Sequence, residues 1–188
     1  MKTTHKIQFT AIHRILHWVM ALTMPILFIT GFLRMYWMNK NSIIGIIQTK
    51  ASAIPKETMT EIAVSIREPM WQWHEVFAQV MVFAFIVRII YMIIKGIRFP
   101  NPFKSNLTVK ERLQGFIYVY FYVFVLISAI TGICIEKDLL SAYRQNIEVV
   151  HKWGIYWFPI FILLHFGGIV IGELTNKKGI VSKMIGGN

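Results

Sequence analysis

The chain has 188 residues, of which 55% are hydrophobic and 15% charged, and its mean hydropathy is +0.53. That is too apolar for an ordinary soluble domain and points to an integral membrane protein. The formal net charge of +11 has no soluble basic domain to carry it, so it reads as a topology signal with some attraction to anionic membrane lipid. It does not read as a nucleic-acid-binding surface.

Apolar runs at residues 15–32, 76–94, 116–135 and 149–171 each come near the ~20 residues needed to cross a hydrocarbon core. They predict an all-α integral membrane protein, a single domain over 1–188 built as a four-transmembrane-helix bundle, with helices at about 12–33, 74–95, 113–135 and 149–172. The first run lacks a small-residue cleavage site and continues into Arg34, Tyr36 and Trp37, which suit an interface belt. It is therefore expected to stay in the mature protein rather than be cleaved.

Between the first and second runs lies a long connection, residues 34–73. After Pro55, Thr58-Met-Thr-Glu61 has the form of a capping box, and Ile62, Val64 and Ile66 follow before Pro69. This predicts a short surface helix in the first outer loop, ended by Pro69. It would serve either as a lid or docking surface or as a linker lying in the headgroups. Trp71 and Trp73 read as interface anchors. The second connection, Phe99-Pro-Asn-Pro-Phe103, is expected to be a tight turn. The third run carries no histidine, and Tyr118, Tyr120, Phe121, Tyr122 and Phe124 suit a wall of the bundle. Phe28-Ile-Thr-Gly31 in the first run is echoed by Ala129-Ile-Thr-Gly132 in the third, although four residues are too few to define a repeat. Gly167-Gly168 in the fourth would allow a close approach of helices or of a flat macrocycle.

Charge sets the orientation. Lys2, Lys6 and Arg14, then Lys95, Arg98, Lys104, Lys110 and Arg112, then Lys177, Lys178 and Lys183 fall on one side, against only Glu111 and Glu173. On the other side Arg34, Lys40, Lys50, Lys56, Arg67, Lys137 and Arg144 are balanced by seven carboxylates, from Glu57 to Glu148. The positive-inside rule then makes both termini cytoplasmic.

That orientation sorts the histidines by depth. His151 and His165 are 14 residues apart, which on one helix returns to within about 40° of the starting direction and rises about 21 Å. His74 and His151 fall on the outer side, His17 and His165 on the inner side. An imidazole in a bilayer is costly without a partner or a metal, and His165 stands within Phe161-Ile-Leu-Leu-His-Phe-Gly-Gly. Two imidazoles at each of two depths are what six-coordinate haem iron requires. His13 shares a helix face with His17 and is the alternative inner ligand, although Arg14 places it nearer the surface. His5 reads as a solvated tail residue.

Structural zinc asks instead for four ligands at one place, and no H-E-x-x-H pattern exists. With Cys134 as the single cysteine and no C-x-x-C-H attachment, any haem would be b-type and non-covalent. Arg88, inside an apolar run, asks for an anion such as a propionate of the inner haem. Snorkelling toward the boundary marked by Lys95 and Arg98 is the competing account. Arg67, Arg144 and Lys152 are comparable candidates on the outer side.

Arg14-Ile-Leu-His17-Trp18, His74, Val87-Arg88-Ile-Ile before Phe99-Pro100, and His151 with His165 together resemble the bacterial cytochrome b561 family and the related b-type cytochrome subunits of nickel-iron hydrogenases. The resemblance implies a bundle holding two b haems, with His17 and His165 on the inner iron and His74 and His151 on the outer. It also implies electron transfer between a quinone pool and a redox partner in the bacterial cytoplasmic (inner) membrane. The long outer loop departs from compact members and leaves that partner open, with a homodimer and a dehydrogenase complex both possible. Two further readings stand beside it: a haem-bearing membrane anchor for a hydrogenase or other dehydrogenase, and a haem-free small transporter or proton path.

Overall fold

The computed structural model describes residues 10–97, 101–174 and 179–186, and all regular structure among them is helical. Lys2, His5, Lys6, Arg98, Lys177 and Lys178 lie outside these residues, as do Phe99 and Pro100 of the turn expected at 99–103. The rest of that turn is seen: the Asn101 side-chain oxygen accepts a hydrogen bond from the Phe103 amide at 3.0 Å, an Asx turn that a short carboxamide forms readily.

Helix α1 spans Ala11–Phe32 and runs on through a π-helical turn, Leu33–Trp37. Helix α2, Lys40–Lys50, begins at Asn39, whose side chain accepts from the Asn41 amide and so satisfies one of the donors a helix start leaves over. Helix α3 spans Lys56–Ile94, α4 Val109–Glu136, α5 Arg144–Lys152, α6 Gly154–Leu174 and α7 Ile180–Ile185. At the start of α4, Thr108 and Glu111 exchange side-chain and backbone bonds in a capping box.

Four stretches are long and apolar enough to cross a membrane: Ala11–Trp37, Lys56–Ile94, Val109–Glu136 and Ser141–Leu174. Protein buries at most 33% of the most apolar part of any of them. Side chains such as Leu22, Phe83, Ile93 and Leu163 therefore face outward, an arrangement stable where lipid rather than water covers them.

Three expectations fail here. The segment carrying Ile62, Val64 and Ile66 is not a separate surface helix, because α3 is continuous from Lys56 through Pro69 to Ile94. One proline removes a single amide donor and crowds one carbonyl, and good helix formers on both sides carry the helix past it. Nor is Thr58 a cap: the first turn is already closed by the Met59 amide on the Pro55 carbonyl at 3.0 Å, since proline's fixed φ favours a helix start. The short helix of the first connection is instead α2. Finally, His151 and His165 do not share one helix. At Trp153 the amide is divided between the Val149 and Val150 carbonyls, both at 3.2 Å, and regular bonding resumes with Trp157 on Trp153. Gly154 and Pro159, the two weakest helix formers, make this the easiest place to interrupt.

The chain divides into two compact units. One comprises residues up to Met20 and from Ala84 onward. In it Leu16, Tyr91 and Met92 form a buried cluster flanked by Val87 and Tyr122, and α4 packs on α5 and α6. The other, Ala21–Phe83, holds the rest of α1, α2 and the first part of α3, with Met24, Met59, Ala63 and Met81 buried.

Candidate functional site

Within the first unit the structure brings His17 of α1 and His165 of α6 together, with ring centroids 6.1 Å apart and planes at 40°. Phe161 stacks on His165 at 5.3 Å, and Trp18 lies edge-on to His17 at 5.7 Å. An imidazole nitrogen binds a first-row metal at about 2.0 Å, and the nitrogen sits about 1.1 Å from its ring centre, so two rings on opposite sides of one ion have centroids about 6.2 Å apart. The observed separation of 6.1 Å would let the two imidazoles hold one ion between them. No group of three or more His, Cys, Asp or Glu is gathered among the described residues. A haem, which brings four nitrogens of its own, asks the chain for just two ligands.

His13 is turned elsewhere, its ring 6.5 Å from that of Tyr91. Arg88 is buried, with 7% of its surface exposed, and its Nε donates to the Tyr122 hydroxyl at 2.8 Å. The same hydroxyl donates to Met92 Sδ at 3.1 Å. Tyr122, expected only as part of an aromatic wall, thus orients a buried cation. One turn before His17, Arg14 has a buried Nε with no hydrogen-bond partner, while its terminal nitrogen reaches the Ile185 carbonyl at 3.4 Å. A guanidinium of this kind is suited to a carboxylate.

His151, on α5 in the same unit, sits 3.0 Å through Nδ1 from the Thr131 hydroxyl. That hydroxyl turns back on its own helix, toward the Ile127 carbonyl at 2.7 Å and that of Ser128 at 3.2 Å. Gly132 lies beside the ring, so that a Cβ there would come within 3.2 Å of His151 Cε1. Arg144 pairs with Asp138 and Glu148, and Lys152 pairs with Glu148. Both cations are thus engaged by carboxylates.

In the second unit His74 is held in the same manner. Its Nδ1 is 2.8 Å from the Thr30 hydroxyl, which itself meets the Ile26 carbonyl at 2.8 Å and that of Leu27 at 3.1 Å. A Cβ at Gly31 would lie 3.8 Å from His74 Cε1. Trp71 stacks on the ring at 5.9 Å with planes only 9° apart, and the Arg34 guanidinium caps Trp71 at 4.2 Å, a cation–π arrangement. Arg67 donates to the Arg34 carbonyl at 3.4 Å and keeps a buried Nε with no hydrogen-bond partner.

Thr30, Thr131 and Arg34 are the residues that sequence reasoning passed over as site components. The repeated Ile-Thr-Gly was visible, but nothing local ties a threonine to an imidazole 44 or 20 residues away.

The sequence model of the prokaryotic cytochrome b561 family matches residues 8–187. No curated protein matches the chain, and no solved structure does. The chain belongs to the prokaryotic cytochrome b561 family, and is a multi-pass b-type membrane cytochrome involved in electron transfer.

Proposed function

We propose that this member of the family is a di-haem cytochrome that moves electrons between a quinone pool and a redox partner in the bacterial inner membrane, with both termini cytoplasmic. The single observation that carries the reading is the His17–His165 pair, whose 6.1 Å ring separation would let the two imidazoles hold one iron between them, assigned here to the inner haem. His74 and His151 are proposed as ligands of the outer haem. Their support is the depth assigned to each by topology and the same hydroxyl contact at Nδ1 in each unit.

A haem bound here would supply reversible one-electron chemistry. The chain supplies the rest. His17 and His165 would hold the inner group from α1 and α6, with Phe161 stacked on the ring of His165 and Trp18 edge-on to that of His17. Arg88, fixed by Tyr122, and Arg14 supply positive charge for propionates and favour the reduced state nearby. The weakly polar surroundings change little as charge comes and goes, which keeps reorganisation small.

Purified protein is expected to give a reduced-minus-oxidised b-type spectrum with two haems per chain. A colourless protein overturns the reading in favour of a haem-free path, and a ratio of one removes the outer pair from it.

A further inference from the structure

Ile29-Thr30-Gly31 on α1 and Ile130-Thr131-Gly132 on α4 perform the same act on different histidines, each within its own unit. In both, the threonine hydroxyl lies within 2.8 Å of the carbonyl four residues back on its own helix. Thr30 is as close to His74 Nδ1, at 2.8 Å, and Thr131 is 3.0 Å from His151 Nδ1. A hydroxyl has one hydrogen. Were it given to the imidazole, the hydroxyl oxygen and the carbonyl oxygen would face each other lone pair to lone pair at hydrogen-bond distance. Both contacts are attractive only if the hydroxyl donates to the carbonyl and the ring donates Nδ1–H to the hydroxyl. The imidazole is then in the tautomer with its proton on Nδ1 and Nε2 in the unprotonated form that ligates iron.

We propose that Thr30 and Thr131 are positioning residues for the outer haem, each fixing the tautomer and ring direction of one axial histidine and strengthening it as an electron donor. This rests on the reading of His74 and His151 as outer ligands. Among the described residues neither His17 nor His165 has a hydroxyl partner of this kind. A hydrogen-bond acceptor on the distal nitrogen raises ligand basicity, and loss of such a partner commonly costs 10- to 100-fold in affinity for the metal group.

The test uses the full-length protein in detergent, with Thr30→Val and Thr131→Val, which keep the shape and lose the hydroxyl, beside Thr30→Ser and Thr131→Ser, which keep it. Haem content during dilution or competition with apomyoglobin is measured, together with a redox titration resolving the two haems. Each valine variant is expected to hold the outer haem about 10- to 100-fold less tightly and to titrate at a higher outer potential, because a weaker donor stabilises the ferric state less. The serine variants are expected to match wild type, and the inner haem, unchanged throughout, reports a folded protein. Valine variants with wild-type outer affinity and potential overturn the proposal, as do serine variants as impaired as valine ones, which would make the effect one of packing. A wild-type protein without two haems overturns the di-haem reading together with the role, whereas two haems with unmoved valine variants overturn the role alone.

Discussion

Gly31→Ala and Gly132→Ala differ by a few tenths of an ångström and should differ in sign. In a helix, alanine for glycine is otherwise favourable by about 1 kcal/mol. At Gly31 the new Cβ would stand 3.8 Å from His74 Cε1, an ordinary carbon–carbon contact. That variant should be as stable as wild type or more so, with the outer haem retained. At Gly132 the distance is 3.2 Å to His151 Cε1, with Nδ1 at 3.7 Å, so the ring must move while Thr131 holds it by the same edge. Overpacking of this size costs about 1–3 kcal/mol. If it falls on the ligand position, outer-haem affinity drops about 5- to 150-fold. Haem-to-protein ratio under competition, read beside thermal unfolding of both variants, separates the two. Equal behaviour of the two alanines, or loss of the inner haem in Gly132→Ala, would refute the reasoning from the close approach.

His151→Ala is expected to remove the outer haem and leave the inner spectrum, and loss of only the inner signal would show the pairing to be wrong. His17→Ala should abolish the inner haem whereas His13→Ala, whose ring faces Tyr91, should keep both; the reverse result reassigns the ligand. Arg88→Leu should lower the inner midpoint potential by tens of millivolts, the size expected for a unit charge about 10 Å from an iron at an effective dielectric near ~20. Redox titration checks it. Unmoved potentials would return Arg88 to a role at the lipid boundary, and a shift confined to the outer haem would defeat the depth assignment.

Much of the fold was legible because it depends on sums along the chain. Crossing a bilayer needs a sufficient length of apolar residues whatever their neighbours, so four spans follow from counting. Their ends and interruptions were not. Pro69 read as a stop yet sits inside α3, because a long helix supported on both sides tolerates one missing bond. The fourth span read as one helix yet breaks at Trp153, where two moderate local preferences coincide.

The histidines stood out in the sequence because an imidazole among Phe, Ile and Leu has no cheap bland explanation, and spacing with charge asymmetry arranged them by depth. Which atoms face each ring is a different kind of fact. That His17 meets His165, that His13 turns to Tyr91, that Arg88 is held by Tyr122, and that two unremarkable threonines each meet an imidazole nitrogen depend on the rotation and register of one helix against another. Apolar content alone determined that this chain enters a membrane. The hydroxyl-to-imidazole contacts were decided only by packing, since a hydrogen bond must be met within a few tenths of an ångström and no local pattern sets that distance between residues on different helices.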